Sequence, residues 1–269
     1  MNRHLLAVAL TVCVCLVMSA VWAAELSPPT VNMLQYQRSP VNPPPQVSES
    51  AVQSLAPAGW AVNDMIPCQL DGQGSRELAV VMCKTDASAA GPDTPWSQIY
   101  QGPSKVLLVS EDNVTGGVLA EFEFPGAAPK KDVDASIPAP FFIMDINSDG
   151  LPGLFVRTRE YAADAGDWIH TNAIKYYEGA FEHVGKFGVQ EPGGLYVLDV
   201  WDITPGRDVI SLHAIWPEGA ARVGPCQYRA LIFGWANGYY VPVRDFTTNT
   251  KYTTPDPAFN NLRKYLWQR

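Results

Sequence analysis

The clearest chemical pattern in this sequence is a short polar loop, Asp-Ile-Asn-Ser-Asp-Gly, at residues 145–150. Oxygen-bearing side chains alternate along it, and alternate side chains of a tight loop can converge on one hard cation such as calcium. Gly150 permits the sharp turn that such a loop needs, and the backbone carbonyl of Leu151 offers a further oxygen. The pattern therefore predicts a calcium site with Asp145, Asn147, Asp149 and Leu151 as ligands.

The two carboxylates of this loop also allow a second chemistry. Asp145 and Asp149 would serve as general acid and base of a hydrolase if a cleft brought them under a substrate. The sequence has no phosphate-binding loop, dinucleotide-binding glycine motif or Gly-x-Ser-x-Gly turn. His170, His183 and His213 fall in separate segments, so no zinc-binding pair is present. Whether the protein is an enzyme stays open, and a non-enzymatic role is favoured.

Aromatic residues are the second candidate for a binding function, and six of them fall late in the chain: Trp168, Trp201, Trp216, Trp235, Tyr239 and Tyr240. Packing between sheets is the simpler explanation for them, and a stacking platform for sugars or an apolar face for a protein is the alternative. Beside Trp168, the residues Glu160, Asp164 and Asp167 form an acidic loop. Such a loop suits either a basic partner or plain solvation.

The chain begins with a positively charged start, an apolar run from Leu5 to Val17 interrupted only by Thr11, and small residues around Ala23. This order is typical of a secretory signal peptide, here residues 1–24. A membrane anchor is disfavoured because the run is shorter than the roughly 20 residues that a span needs. No later segment is apolar enough to span a membrane. The sequence therefore predicts a periplasmic or secreted protein.

Three cysteines follow the signal segment: Cys68, Cys83 and Cys226. In an oxidising compartment two of them are expected to form a disulfide and leave the third free. Cys68 and Cys83 flank one loop and are the first choice. A bridge from either of them to Cys226 is the alternative, and the spacing does not decide between the pairings.

Charge and composition limit the partners and the domain count. The net charge of −8, with Lys and Arg scattered, argues against nucleic acid and anionic membranes as partners. Residues 25–55 are rich in Pro, Ser, Asn and Gln, which predicts a disordered leader. Residues 56–269 suit one globular domain, whose ordered part is expected to begin near Trp60.

Short apolar segments separated by Gly, Pro and Asp turns predict an all-β domain. Three segments that begin at Cys68, Met144 and Val200 share one plan: a strand, a tight polar loop and a second apolar strand. Each is followed by a second hairpin, and the turns of these hairpins fall at residues 116–117, 178–179 and 237–238. Four strands per repeat is the plan of a propeller blade.

The C-terminal residues have a different pattern. Asp256 and Pro257 are typical of a helix start, and Phe259, Leu262 and Leu266 are spaced to share one helix face. The predicted fold class is therefore all-β, a propeller-like array of about three four-stranded blades with a short C-terminal helix. A closed propeller normally has at least four blades. Only three repeats are visible, so three alternatives remain. A fourth blade has diverged beyond recognition, the array is open, or several copies of the chain associate.

The loop at 145–150 and the strand after it resemble the FG-GAP or VCBS repeats of integrin-type β-propellers, whose Asp-x-Asp/Asn-x-Asp-Gly-x-x-Asp loops bind calcium. The second repeat matches this pattern except for Gly153, which stands where the final carboxylate belongs. In the first repeat the four ligand positions hold Gln69, Asp71, Gln73 and Glu77, so only two of them are carboxylates. In the third repeat the ligand positions hold residues that do not bind calcium: Trp201, Ile203 and Pro205.

The resemblance implies an exported, non-enzymatic binding protein built from FG-GAP/VCBS-type blades. Such a protein would recognise a protein, peptide or glycan partner through loops at one end of the blades, with a weak structural calcium site. The carboxylate-pair hydrolase is the first alternative. A structural component of an envelope assembly is the second, and a large exposed apolar face would favour it.

Overall fold

The computed structural model describes residues 32–35, 44–84, 100–129, 140–162, 166–198, 206–217 and 222–266. The predicted signal peptide at 1–24 lies outside the described residues, as do Asp164 and the third-repeat positions Trp201, Ile203 and Pro205. No helix in the described ranges combines the length and the apolar character that crossing a membrane requires.

The described chain is mostly β and contains three four-stranded antiparallel sheets. Sheet I consists, in spatial order, of β1 (Trp60–Cys68), β2 (Glu77–Lys84), β4 (Ser104–Ser110) and β5 (Val118–Phe124). Sheet II consists of β7 (Phe141–Met144), β8 (Gly153–Ala162), β9 (Gly166–Tyr177) and β10 (Ala180–Gln190). Sheet III consists of β11 (Gly194–Leu198), β12 (Asp208–Ile215), β13 (Gln227–Ala236) and β14 (Tyr239–Thr247). The short strands β3 (Tyr100–Gln101) and β6 (Ala128–Pro129) pair with each other.

The three repeats of the sequence correspond to these three sheets. In each sheet the polar loop connects the first strand to the second, and the second hairpin connects the third strand to the fourth. The hairpin between β13 and β14 turns at Asn237, whose φ of 52° lies in the left-handed region that Asn-Gly turns favour. The expectation of all-β sheets with four strands each is confirmed.

The sheets pack face to face because their strands are apolar on both sides. Alternate residues of β2, such as Ala79 and Val81, share a core with Phe141 and Leu154 of sheet II. The opposite face of sheet II shares a second core with sheet III. Strands buried on both faces read as continuous apolar runs, and the run from Leu78 to Cys83 has this character.

Two helices cover the outer faces of this stack. Helix α1 (Glu49–Gln53) places Val52 against the outer face of sheet I. Helix α2 (Pro255–Leu266) places Phe259 and Leu262 against the outer face of sheet III. The predicted C-terminal helix and its apolar face are therefore confirmed.

Within the segment predicted as a disordered leader at 25–55, the described residues 32–35 and 44–55 contact the sheets. Val52 is fully buried, and Met33, in a short 3-10 turn (Met33–Gln35), enters the core between sheets II and III. The Asn32 side-chain carbonyl accepts from the Leu195 amide at 3.1 Å, and Arg157 donates to the Met33 carbonyl at 2.8 Å. Ordered structure thus begins well before Trp60, because a few apolar side chains of this segment pack against otherwise exposed apolar faces of the sheets.

The sheets do not form a closed ring within the described residues. Sheet II lies between the other two, and the remaining face of each outer sheet packs on a helix. A propeller arrangement is thus not confirmed, although the four-stranded units are.

The predicted Cys68–Cys83 disulfide is wrong for this fold, and the reason is strand register. Cys68 lies opposite Glu77 in the β1–β2 ladder, whereas Cys83 lies opposite Ala61, at the other end of the hairpin. Cys83 lies six positions after Glu77 along β2, which is about 20 Å at ~3.3 Å per residue. A disulfide requires Cα atoms within about 7 Å. Cys226 belongs to the core between sheet III and α2, so it is remote from both.

We therefore expect all three thiols to be free and unreactive in the folded protein. All three cysteines are buried, and burial raises the pKa of Cys83 to about 12 and also raises those of Cys68 and Cys226. A thiol reagent should modify none of them in native buffer and all three in denaturant. Peptide mapping without reductant should find no cross-linked peptide, and a Cys68–Cys83 peptide would contradict the register.

Candidate functional site

A cleft of about 720 Å³ lies between sheets II and III, and we call it the tryptophan cleft. Trp168 of β9 and Trp216, just after β12, contribute its large aromatic surfaces. The lining is otherwise formed by strand ends and by two arginines: Gly188, Gln190, His213, Ala214, Ile215, Pro217, Arg222, Arg229, Leu231 and Phe233. This volume falls within the range of ordinary ligand sites.

Two histidines hold the indole of Trp168 in place. The ring of His170 stacks on it with 6.1 Å between centroids, and the ring of His213 lies at 5.4 Å with a tilt of 54°. Burial, assisted by Arg229, lowers the pKa of His213 to about 4, and burial assisted by Lys186 lowers that of His170. Both imidazoles are therefore neutral at neutral pH.

Polar atoms in the cleft lack hydrogen-bond partners. Among the described residues, neither His213 Nδ1 nor Trp216 Nε1 finds a partner, although both atoms are buried. The other nitrogen of His213 lies 3.3 Å from Ser211 Oγ, which in turn donates to the Gly188 carbonyl at 2.5 Å. A buried polar atom without a partner costs about 1–3 kcal/mol. Because neither atom is open to solvent, a ligand group could remove that cost only if Trp216 or His213 shifted on binding.

The charged residues that line the cleft are two arginines. Arg222 and Arg229 line it, and none of its described lining residues is Asp or Glu. Arg229 forms a surface ion pair with Asp245 at 2.5 Å. On the acidic loop predicted next to Trp168, Glu160 is paired with Lys186 at 2.8 Å. The side chain of Asp167 lies outside the described residues.

The predicted calcium ligands come together at the opposite end of sheet II, roughly 20 Å along β8 from the cleft. The Asp145 carboxylate accepts from the Gly150 amide at 2.9 Å, and the Asn147 amide donates to Asp149 at 2.9 Å. Asp145 Oδ1 and Asn147 Oδ1 are buried and make no hydrogen bond within the described chain. Asp149 also accepts from the Leu151 amide at 2.9 Å.

A buried lysine reaches two of the predicted ligand atoms. Lys175 of β9, with a side chain only 3% exposed, donates to Asp149 Oδ1 at 2.8 Å and also to the Leu151 carbonyl. Its ammonium lies 5.9 Å from the centre of the Trp235 ring. Burial alone would raise the pKa of Asp149, but hydrogen bonds from Lys175, Leu151 and Asn147 lower it below its ordinary value.

The polar loops of neighbouring sheets touch one another at this end. A Cβ on Gly72, in the first loop, would lie 2.8 Å from Leu151 Cδ2. A Cβ on Gly206, whose φ is 87°, would lie 2.2 Å from the Asn147 carbonyl oxygen. The Arg207 amide donates to the Ile146 carbonyl at 3.2 Å. The second loop is therefore wedged between the other two, and glycine is required where the third loop passes its backbone.

In the first loop, the positions that correspond to calcium ligands bond to one another and to the backbone. Asp71 accepts from the Gln73 amide at 2.7 Å and from the Gln69 side chain at 3.2 Å. Glu77 accepts from the Leu70 amide at 2.7 Å. In the described ranges no group of three or more His, Cys, Asp or Glu side chains is placed to hold a metal ion.

No known protein family matches this sequence, and no curated protein is significantly similar to it. The site therefore has to be interpreted from its own geometry.

The sequence drew attention to the polar loop at 145–150 and to Trp168 and Trp216, but not to Lys175 or to the place of His213 in the cleft. Lys175 is separated by 24 residues from Leu151 and lies on another strand, so no local pattern connected the two. His213 had no sequence signal, because its place in the cleft depends on how sheets II and III pack.

Proposed function

We propose that this chain is an exported, non-enzymatic binding protein that captures a protein partner through the tryptophan cleft. The observation that carries this proposal is the pair of buried, unpartnered polar atoms, Trp216 Nε1 and His213 Nδ1, in a cleft with two tryptophans. A partner segment that shifted these side chains, and supplied an acceptor to Trp216 Nε1 and a donor to His213 Nδ1, would gain both the apolar contact and the missing hydrogen bonds.

The chemistry of the cleft favours a protein segment with an acidic group. Tryptophan and arginine are the residues that most often dominate protein interfaces. Arg222 and Arg229 are at the cleft, whereas the chain as a whole carries a net charge of −8. An acidic side chain of the partner would find a counterion at the cleft by replacing Asp245 on Arg229.

The arrangement of acids disfavours the hydrolase alternative. Asp145 and Asp149 lie in the wedged loop, roughly 20 Å from the cleft, and Asp149 already accepts from Lys175. Ser211, the hydroxyl next to His213, is fully buried and therefore unavailable as a nucleophile. A binding role requires none of these groups to act on a substrate.

The resemblance to FG-GAP or VCBS blades is part of the same proposal. Its support is that each of the three sheets carries its polar loop between the first and second strands. We interpret the three sheets as degenerate blades of an open, helix-capped array. The cleft then lies at the end opposite the polar loops, and export to the periplasm or the exterior would bring it to its partner.

We expect Trp216→Ala to weaken partner binding at least 30-fold, because a central tryptophan contributes about 2 kcal/mol or more in a protein interface. The control is Tyr265→Ala, which removes an aromatic ring that is 68% exposed on α2, away from the cleft. Immobilised wild type and both variants would be incubated with the same extracted envelope proteins, and the retained protein would then be titrated against each.

A protein retained by wild type and Tyr265→Ala but lost from Trp216→Ala supports the proposal, provided that the thermal midpoints of all three agree. Equal retention by the three chains would contradict the cleft as the binding site. Retention of glycans alone would replace the protein partner with a carbohydrate.

A further inference from the structure

The second polar loop contains a cation that belongs to the chain itself. Lys175 donates to Asp149 Oδ1 and to the Leu151 carbonyl, two of the four oxygens that a calcium ion would bind in this loop. The other two, Asp145 Oδ1 and Asn147 Oδ1, are buried without hydrogen-bond partners in the described chain. All four oxygens therefore belong to one small region, and an ammonium reaches two of them.

Charge balance explains why a cation is needed here. Burial raises the pKa of Tyr240, and the negative charges of Asp145, Asp149 and Asp208 raise it further, so this end of the sheets carries several acids. Carboxylates held this close without a counterion repel one another, more strongly inside a protein than in water. Lys175 provides one positive charge in a fixed position, because its stem is packed in sheet II and its ammonium lies over Trp235.

The residues present do not fit a calcium ion together with this lysine. A divalent cation coordinated by Asp149 and Leu151 would occupy the same oxygens as the ammonium, and the two positive charges would repel each other. Position 153, where the last carboxylate of a calcium loop would be, holds Gly153 at the start of β8. The loop thus lacks the last carboxylate of a calcium site and already contains a positive charge.

We propose that the Lys175 ammonium replaces the divalent cation of this loop, so that the wild-type chain is held together here without metal. The same oxygens become a weak calcium site when the ammonium is removed. The inference concerns the loop end of the sheets and is independent of the tryptophan cleft.

The test compares thermal midpoints in 10 mM calcium and in chelator for wild type, Lys175→Met and Lys186→Met. Methionine keeps the length of the stem and removes the charge. Lys186 is the control, because it is a lysine on the neighbouring strand β10 whose ammonium pairs with Glu160 and not with the loop oxygens.

We expect calcium to leave the thermal midpoint of the wild type unchanged, and likewise that of Lys186→Met. Lys175→Met should melt lower than wild type in chelator and recover by roughly 5–10 °C in calcium, if its dissociation constant is about 10⁻⁴ M as in weak extracellular sites. Adding Asp149→Ala to Lys175→Met should abolish this recovery.

A wild-type midpoint that rises with calcium would overturn the proposal, whatever the variants do. So would a Lys175→Met chain that is indifferent to calcium, or one that remains unfolded in its presence. Calorimetric titration with calcium provides a second readout: heat of binding is expected for folded Lys175→Met and not for wild type.

Discussion

Replacing Phe259 with alanine is expected to lower the free energy of unfolding by about 3–5 kcal/mol, the usual cost of removing a buried phenylalanine. Phe259 is 2% exposed, and its ring stacks on Tyr196 of β11 with 3.9 Å between centroids and 5° between planes. The Tyr196 hydroxyl also donates to Asp256 in the first turn of α2. The ring is thus the main apolar link between the helix and sheet III.

Urea unfolding of wild type, Phe259→Ala and Tyr265→Ala measures this effect. Tyr265 is on the same helix but is 68% exposed, so its replacement should change stability by no more than about 0.5 kcal/mol. If the two variants were equally stable, α2 would not be needed to cover sheet III. The face beneath the helix contains Ile210, Leu212 and Ile232, and its exposure explains why a large effect is expected.

The local pattern of the sequence predicts the elements of this fold well. The Leu78–Val81 segment is buried on both faces, and its continuous apolar character marked it as a strand. The turn at Asn237 followed the Asn-Gly rule. Such features depend on neighbouring residues, so a single sequence contains the information that they require.

Features that depend on distant residues were not predictable in the same way. Whether Cys68 and Cys83 can meet depends on the β1–β2 register, which places them at opposite ends of one hairpin. The burial of Met33 depends on sheet II, through the hydrogen bond from Arg157 across 124 residues. Composition alone suggested disorder for that segment, because composition does not reveal which distant face an apolar residue covers.

The candidate sites show the same difference between features set by neighbouring residues and features set by distant ones. The alternating oxygens at 145–149 could be predicted from spacing, and the structure brings these residues together. The lysine beside them could not, since it comes from another strand. The tryptophan cleft exists only where the ends of β10 and β12 meet, so Trp168 and Trp216 were visible as residues but not as a site.

The first polar loop holds a second buried charge, and its effect should appear as a dependence of stability on pH. Glu77, at the start of β2, is 1% exposed and accepts from the Leu70 amide. Burial raises the pKa of its carboxyl group, the Leu70 amide opposes this, and Asp71 adds to it, so that the pKa rises from 4.5 to about 7. The folded protein thus binds this proton more tightly than the unfolded chain does.

The sign of the effect follows from this difference. A carboxyl group whose pKa is raised on folding contributes stability that is fully present below pH 4.5 and is lost as the pH rises through about 7. The full loss amounts to roughly 3–4 kcal/mol, at ~1.4 kcal/mol for each unit of pKa. His213 acts in the opposite direction: burial lowers its pKa to about 4, so its contribution decreases as the pH falls below its ordinary value of 6.5.

Because the two groups act in opposite directions, the measurement is a difference between two proteins. Glu77→Gln keeps an oxygen for the Leu70 amide but cannot ionise, while His213 remains the same in both chains. Between pH 5 and pH 8 the stability of Glu77→Gln relative to wild type should therefore increase by about 2–3 kcal/mol in urea unfolding. A relative stability that stays constant across this range would mean that Glu77 titrates as it does in the unfolded chain. In that case burial at the start of β2 would not raise the pKa of Glu77, and its ionised carboxylate would be as stable in the folded protein as in the unfolded chain.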